Sequence, residues 1–301
     1  MGNPTPADPV SSWRRGIRAW FDAGALPAAE VILSRGVDWV RVLPFVAMHV
    51  ACLGVLVVGF DRSAMLVALA LYGIRMFAIT GFYHRYFSHR AFRASRGVQF
   101  GLALMGASAV QRGPLWWAAH HRKHHRHADT ADDVHSPVQH GFWWSHMGWI
   151  TAAVNFPTDL HEVRDLARFP ELRWLDRFDI VVPALLAAAL FALGGWSFVV
   201  WGFFVSTVVL FHATCLINSL AHTLGGRRYA TDDESRNSLA LALITFGEGW
   251  HNNHHRFPGS ARQGFYWWEF DLTYYLLWIL ARLGVIHDLR PVPRRILEAG
   301  A

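Results

Sequence analysis

Charged residues and cysteines are both scarce in this chain of 301 residues. Asp, Glu, Lys and Arg make up 17% of it and hydrophobic residues 53%, a balance that favours a membrane protein over a soluble globule. The two cysteines, Cys52 and Cys215, each lie inside an apolar run, which excludes a disulfide framework and a cysteine-based zinc site. Lys123 is the only lysine and the arginines are scattered, so nucleic acid is not an expected partner.

Signals for export or lipid attachment are also missing near the N-terminus. No short apolar core followed by small residues occurs in the first 36 residues, and the start MGNPTP lacks the Ser or Thr that myristoylation needs. Membrane attachment is expected from internal apolar runs instead. Four runs, at residues 42–60, 64–81, 180–195 and 198–218, are close to the roughly 20 residues that a spanning helix needs.

The turns between these runs predict two helical hairpins. Asp61–Ser63 joins the first pair and Gly194–Ser197 joins the second, so both termini are expected on one side of the membrane. Of the 28 basic residues, only Arg62 falls in an outer turn and only Arg75 within a span. The positive-inside rule therefore makes the side of the termini cytoplasmic, which in a bacterium is the cytoplasmic side of the inner membrane.

The expected fold is an all-α integral membrane protein with four transmembrane helices. Two shorter apolar runs, Val98–Val110 and Leu272–Ile286, suit interfacial or core helices better than spans. Residues 1–301 then form a single membrane domain, in which residues 82–179 and 219–301 build a cytoplasmic helical cap.

Histidine is abundant, with 18 residues, and three tight groups of it fall in the expected cap. They read HRYFSH at His84–His89, HRKHH at His121–His125 and HNNHH at His251–His255. In the second and third groups the histidines stand at i, i+3 and i+4, which places them on one face of a helix. A fourth group, NSLAH, holds Asn218 and His222 as an i, i+4 pair.

The first group needs a special local geometry. His84 and His89 are five residues apart, about 140° around an ideal helix, so they converge only if the helix tightens, bulges or ends there. All four groups then deliver nine histidines to one layer at the cytoplasmic surface. Imidazole suits iron, zinc, copper and nickel, and nine ligands are too many for one ion but ample for two. The sequence thus predicts a two-metal site of imidazoles with one water-linked asparagine.

Each group taken alone has a simpler interpretation. A single HxxHH could be a pH-sensing surface, and NSLAH a polar pair between packed helices; the joint pattern is what favours a metal site. Of the other histidines, His49 and His212 are predicted to make packing or polar contacts inside spans. Surface positions or positions around the site are expected for His120, His127, His135, His140, His146, His161 and His287. Candidates to accept the free N–H of a ligand imidazole, with solvated surface as the alternative, are Asp129, Asp132, Asp133 and Glu248.

The order HxxxxH, HxxHH, HxxHH on a four-span chain resembles the membrane fatty acyl desaturases, specifically the acyl-CoA Δ9 (stearoyl-CoA-type) branch. The likeness runs from about Val42 to Phe257, with NSLAH, GEGWHNNHH and GFWWSHMGW resembling that family's Asn-Ser-x-x-His, GEGxHNxHH and GFxxSHxGW. The resemblance implies that Asn218 binds iron through a water. It also implies that the direct iron ligands are His84, His89, His121, His124, His125, His222, His251, His254 and His255.

The resemblance also implies a reaction and its partners. Two irons activate O2, and hydrogen is removed from two adjacent methylenes of a fatty acyl chain to leave a cis double bond. This step exceeds the acid–base power of any side chain, so a redox metal must carry it, and no catalytic residue beyond the ligands is predicted. The electron donor is a separate cytochrome b5 or ferredoxin-like protein fed by an NAD(P)H reductase. Zinc in purified protein would be compatible with the same imidazoles.

Three departures from the acyl-CoA branch concern the substrate. Ala119 and His120 stand where that branch has Arg-Asp, residues 150–155 carry none of its Arg-Lys pair, and Cys215 replaces a Trp near the acyl chain. The headgroup is therefore open between CoA, an acyl carrier protein and a phospholipid. Candidate substrate contacts are Arg112, Cys215 and Trp117, and a phosphate or an acidic electron donor could also meet Arg122, Lys123 and Arg126.

Two other functions compete with desaturation. A membrane di-iron hydroxylase of an alkane, sterol or carotenoid type would have a similar site, because the same metal pair inserts oxygen when rebound precedes the second hydrogen abstraction. A metal transporter or storage protein would instead carry polar ligands along its spans. The predicted spans hold few ionisable residues, namely Arg75, His49 and His212, which disfavours transport.

Overall fold

A computed structural model describes residues 9–25 and 36–300 of the chain. Helices supply the regular structure of these residues, which contain no β-strand and only isolated bridges such as the one between Arg93 and His287. The all-helical class predicted from the sequence is therefore confirmed for the described part of the chain.

Three helices are long and apolar enough to cross a membrane: Trp39–Val58, Arg62–Ser88 and Val181–Leu220. The first consists of the α-helices Trp39–Ala51 and Val55–Val58 with a 3₁₀ turn between them. The second begins after Asp61, whose carboxylate accepts hydrogen bonds from the backbone of Ser63 at 2.9 Å and of Ala64 at 3.1 Å. These two helices correspond to the first two predicted spans.

The third helix has 40 residues, about 60 Å at 1.5 Å per residue, but it is broken near its middle. Gly194 and Gly195 have non-helical dihedrals, and Gly195 has a φ of 61°, a region that glycine enters at little cost. Leu190 before the break packs against Val199 and Phe203 after it. The residues before the break are therefore folded back on the π-helical stretch Val199–Val205, which continues into the α-helix Ser206–Leu220.

The break lies beside the turn that joins the first two long helices. Ser197 donates a hydrogen bond to the Asp61 carboxylate at 2.8 Å, and the Trp201 indole donates to the Gly59 carbonyl at 3.1 Å. Deeper in the bundle, the fully buried Arg75 guanidinium donates to Ser206 at 2.6 Å and to Thr207 at 2.7 Å. The long helices are thus tied together both at this end and in their interior.

The remaining helices are short, and two of them carry the second and third histidine groups. The runs expected as interfacial or core helices form Arg96–Ala107 and Leu272–Arg282, of 12 and 11 residues. Among the described residues, the other α-helices are Pro9–Phe21, Pro114–His127, Pro137–His140, Trp149–Thr151, Arg164–Ala167, Pro170–Arg177, Leu239–Ile244, His251–Arg256 and Arg294–Ala299, with a π-helical turn at Trp144–Gly148 and a 3₁₀ turn at Ala153–Asn155. Phe82, Phe87, Leu115 and Leu166 belong to the apolar core that joins them.

The second long helix changes its pitch where it carries its histidines. Arg62–Phe77 is α-helical, but Ala78–Ser88 is a π-helix. The His89 N–H donates to the His84 carbonyl at 3.3 Å, which is the i to i+5 bond of that wider turn. A spacing of five residues therefore brings both imidazoles to one side, and the predicted local distortion of the helix is present.

Candidate metal centre

The nine histidines singled out by the sequence form two adjacent clusters. Within each cluster the ligand nitrogens all lie within 4.8 Å of one another. The five-histidine cluster consists of His84, His89, His121, His125 and His254, and the four-histidine cluster of His124, His222, His251 and His255. Each HxxHH group divides its histidines between the clusters, so the two helices that carry them lie across both.

In the five-histidine cluster the Nε2 atoms converge. Their separations are 3.0 Å between His84 and His254, 2.9 Å between His254 and His125, 3.0 Å between His125 and His121, and 2.8 Å between His121 and His89. A neutral imidazole has one N–H and one lone pair, and a set of nitrogens aimed at a common point is the arrangement of metal ligands. Burial lowers the pKa of His89 and His254 well below its usual value, which keeps them in the neutral form that a metal requires.

The four-histidine cluster contains buried nitrogens with no hydrogen-bond partner. In the described part of the chain, His255 Nε2 and His251 Nδ1 are both in this state, while His222 Nε2 lies 3.1 Å from His251 Nε2. Burial lowers the pKa of His255 to about 4, so its imidazole is neutral. An unpaired lone pair in a buried position is costly, and a metal bound in this cluster would satisfy the one on His255 Nε2. Both clusters therefore fit metal ions.

Carboxylates hold four of the imidazoles through their Nδ1 atoms. Two separations are 2.9 Å for His124 to Asp133 and 2.7 Å for His222 to Asp129, and Glu248 contacts His84 in the same way. Such contacts fix the tautomer so that Nε2 faces the metal. The fourth candidate, Asp132, is exposed and is not brought to either cluster, because the turn directs its neighbour Asp133 inward.

Sequence reasoning missed one carboxylate of this kind. Asp233 lies 2.7 Å from His255 Nδ1, and its side chain is only 12% exposed. It belongs to an irregular loop after the NSLAH group, where TDDES offers several acids and no spacing rule distinguishes them. Only its acidity in the expected cap could have suggested it.

The helix Pro114–His127 is oriented by a buried acid at its start. Asp176 accepts hydrogen bonds from the backbone N–H groups of Leu115 at 3.0 Å and of Trp116 at 2.7 Å, where orphan donors and the helix dipole favour a carboxylate. A Cβ on Gly113 would lie 2.3 Å from the Asp176 Cα, so a larger residue would push the acid away. This contact sets the position of the second histidine group.

A cavity of about 660 Å³ reaches the clusters from the long helices. Its wall includes His121 of the five-histidine cluster and Asn218, one helical turn before His222. One face of the helix that ends at Leu220 lines the cavity, with the side chains of Phe203, Thr207, Phe211, Cys215 and Asn218. From Phe203 to Asn218 is about 22 Å of helix, so the cavity is long, narrow and largely apolar.

The three candidate substrate contacts all lie in the wall of this cavity. Trp117 stacks on His121 with 5.0 Å between the ring centroids, and Cys215 is buried. Arg112 lies 3.0 Å from the Asp179 carboxylate and donates to the Phe156 carbonyl at 3.1 Å.

Several histidines outside the two clusters make polar or ring contacts. His120 lines the cavity, makes a hydrogen bond with the Trp116 carbonyl at 3.0 Å and contacts that indole with 4.3 Å between the ring centroids. His135 lies 2.8 Å from Asp133. His212 bridges His49 at 3.1 Å and His146 at 2.9 Å, so the two histidines inside the long helices contact each other.

The sequence model of fatty acid desaturases matches residues 62–287, a stretch that contains both histidine clusters. The chain belongs to the fatty acid desaturase family. This is a family of oxidoreductases, and together with the three long apolar helices it makes the chain a membrane enzyme. The resemblance found in the sequence is thereby confirmed.

Characterised relatives cover most of the chain. The sn-1 stearoyl-lipid 9-desaturase of Anabaena variabilis is 40% identical over 257 residues, which are 84% of this chain and 94% of that protein. The sn-2 palmitoyl-lipid 9-desaturase of Nostoc sp. (strain 36) is 41% identical over 207 residues, 67% of this chain and 73% of the other. An acyl-CoA 5-desaturase of Anemone leveillei is 39% identical over 253 residues, 83% and 78% of the two chains. All three are called desaturases, so a hydroxylase is not favoured.

Proposed function

We propose that this chain is a di-iron desaturase that introduces a cis double bond, with O2 as co-substrate, into an acyl chain carried by a membrane lipid. The observation that carries the proposal is the shared residue His121, which belongs to the five-histidine cluster and also lines the long apolar cavity. A metal held by that cluster would lie beside a chain in the cavity.

The nine clustered histidines are the proposed iron ligands, with Asn218 acting through a water. Bound there, the iron pair supplies the activation of O2 and the removal of hydrogen from two neighbouring methylenes. The protein keeps the imidazoles neutral by burial and oriented by carboxylates. The cavity holds the acyl chain away from water, and Trp117, stacked on His121, limits where the chain passes the metals.

A lipid-linked acyl chain suits the entrance of the cavity. Trp20 of the helix Pro9–Phe21 lines the cavity and donates to the Val40 carbonyl at 2.8 Å. That helix exposes Trp13, Ile17 and Phe21 at a spacing of four residues, a stripe typical of helices that lie in the membrane interface. An acyl chain could therefore enter directly from the headgroup region.

Polar groups at this entrance suit an ester or phosphate better than a large nucleotide. Arg41 lines the cavity, and one of its guanidinium nitrogens is buried without a partner in the described part of the chain. Where the acyl-CoA branch has a charged pair, Ala119 is buried in the apolar core and His120 contacts Trp116 and Trp149. The names of the two cyanobacterial relatives agree with a lipid substrate.

The proposed topology has four spans in two hairpins, with the broken third helix supplying two of them. The contacts of Asp61 and Gly59 with the segment after the break support this arrangement. Both termini and both metal ions then lie on the cytoplasmic side, and residues 1–301 act as one domain. Electrons come from a separate cytochrome b5 or ferredoxin-like donor.

Product analysis tests the function. Membranes containing the expressed chain are supplied with stearoyl-phospholipid or stearoyl-CoA, a reductase and an electron carrier, and total acyl groups are analysed by gas chromatography and mass spectrometry. We expect monounsaturated chains from the phospholipid, with O2 consumed in step. Hydroxylated products would refute desaturation, and turnover of the CoA ester alone would refute the lipid substrate.

A further inference from the structure

The carboxylates around the two histidine clusters are unevenly distributed. In the four-histidine cluster, three of the four imidazoles contact a carboxylate through Nδ1, at 2.9 Å for His124, 2.7 Å for His222 and 2.7 Å for His255. In the five-histidine cluster, only His84 has such a partner within the described residues. The difference does not follow from ligand number, because the cluster with fewer histidines has more carboxylates.

The charges of these carboxylates are also balanced differently. Glu248, the partner of His84, lies 3.1 Å from Arg85, and that guanidinium is shared with Asp271 at 2.9 Å. One cation therefore offsets two acids near the five-histidine cluster. At the four-histidine cluster no arginine or lysine in the described part of the chain contacts the carboxylate of Asp129, Asp133 or Asp233.

Neutral donors and imidazoles hold those three acids instead. Asp129 accepts from the Ser136 hydroxyl at 2.6 Å and from the Glu234 N–H at 2.8 Å, and Asp233 accepts from the Ser235 N–H at 2.9 Å. Asp133 contacts His135 at 2.8 Å as well as His124. In the described part of the chain, these three carboxylates therefore contact hydroxyl, backbone N–H and imidazole groups.

Two physical effects follow for a bound cation. A hydrogen bond from Nδ1 to a carboxylate makes the opposite nitrogen of the imidazole more basic and fixes its direction, and losing such a partner typically lowers metal affinity by about 10- to 100-fold. The uncompensated negative charges also attract a divalent ion directly. Both effects are larger at the four-histidine cluster.

We infer that the two metal positions are unequal, with the ion in the four-histidine cluster held more tightly than the ion in the five-histidine cluster. This rests on the proposal that the clusters hold two metals, and it adds the order in which they fill and empty. If ligand number decided instead, five imidazoles would outweigh four and the order would be reversed.

Zinc is a suitable probe because it does not change oxidation state and accepts imidazole ligands. The full-length protein in detergent is loaded with Zn²⁺ and equilibrated with increasing concentrations of a chelator. After gel filtration, zinc per chain is measured by mass spectrometry. We expect two ions per chain and two release steps, separated by at least about tenfold in free chelator. Simultaneous release of both ions would overturn the inference.

Variants assign the steps to clusters. D133N and D233N, which keep the size of the side chain, are expected to move the tighter step by about 10- to 100-fold and to leave the weaker step in place. The matched change at the other cluster, E248Q, is expected to move only the weaker step. The reverse assignment would refute the inference, and D233N carries the same test if D133N does not fold. Failure to bind zinc at all would refute the metal site itself.

Discussion

A bulky side chain at the far end of the cavity should shorten the acyl chain that the enzyme prefers. Ala187 lies in the cavity wall and is the last residue of its helix to do so. Asp179, near the entrance and just before this helix, also lines the cavity, and a separation of eight positions corresponds to about 12 Å at helical rise. A phenylalanine at position 187 would therefore occupy the space that the methyl end of a long chain needs.

The size of the effect follows from the apolar surface that the chain can no longer bury. Each methylene excluded from the cavity costs about 0.8 kcal/mol, which is roughly fourfold in kcat/KM. Stearoyl and palmitoyl chains differ by two methylenes. We therefore expect A187F to lower the ratio of stearoyl to palmitoyl desaturation by about 15-fold.

Competition between the two substrates measures this ratio directly. Mixed stearoyl and palmitoyl lipids are offered together, and the 18:1 to 16:1 product ratio gives the ratio of kcat/KM. L185F is the matched control, because Leu185 lies on the same helix but is 65% exposed on its outer face. An unchanged ratio in A187F, or an equal change in L185F, would refute the assignment of the cavity to the acyl chain.

Three further predictions concern the metal centre. H124A and H254A should each abolish desaturation while the protein still inserts in membranes. Retained turnover in either variant would remove that residue from the ligand set. His161 is exposed, so H161A is the control that should keep its activity. G113A should lower activity about 100-fold by displacing Asp176 and the second histidine group. The control G97A, which has nothing within 4 Å of the added Cβ, should keep its activity. Equal losses in the two variants would refute the role of Asp176 in positioning the helix Pro114–His127. The metal-free protein should lose stability as the pH falls below 6.5. Burial lowers the pKa of four imidazoles in the five-histidine cluster, so on acidification these imidazoles take up protons in the unfolded state before they do so in the folded state. At pH 5 this lowers the free energy of unfolding by about 2 kcal/mol per imidazole. Thermal melts between pH 7 and 5 measure this, and a rise in melting temperature on acidification would contradict it.

Local patterns in the sequence predicted the local geometry of the histidine groups well. The i, i+3, i+4 spacing of His121, His124 and His125 identifies one helical face without knowledge of any other element, because that face depends only on helical periodicity. The five-residue spacing of His84 and His89 likewise demanded a distortion, and the π-helix supplies it. The apolar runs gave the long helices, and the turn predicted at Gly194–Ser197 lies where the third one breaks, at Gly194 and Gly195.

Relations between distant segments could not be read in this way. The spacing of a single HxxHH group places its histidines on one face, yet His124 joins one cluster while His121 and His125 join the other. Asp233 contacts His255 and Asp132 contacts no histidine in the described part of the chain, although both are acids in irregular loops.

The sequence by itself determined that this protein is helical, largely apolar and equipped with nine histidines at ligand spacings, because composition and periodicity are properties of short segments. The tertiary structure alone decided how those histidines divide into two clusters, which acids orient them, and that a long cavity passes His121. Those features depend on how four segments distant in the chain pack together, and the contacts that fix this packing, such as Arg75 with Ser206 and Asp176 with Leu115, have no signature in local sequence.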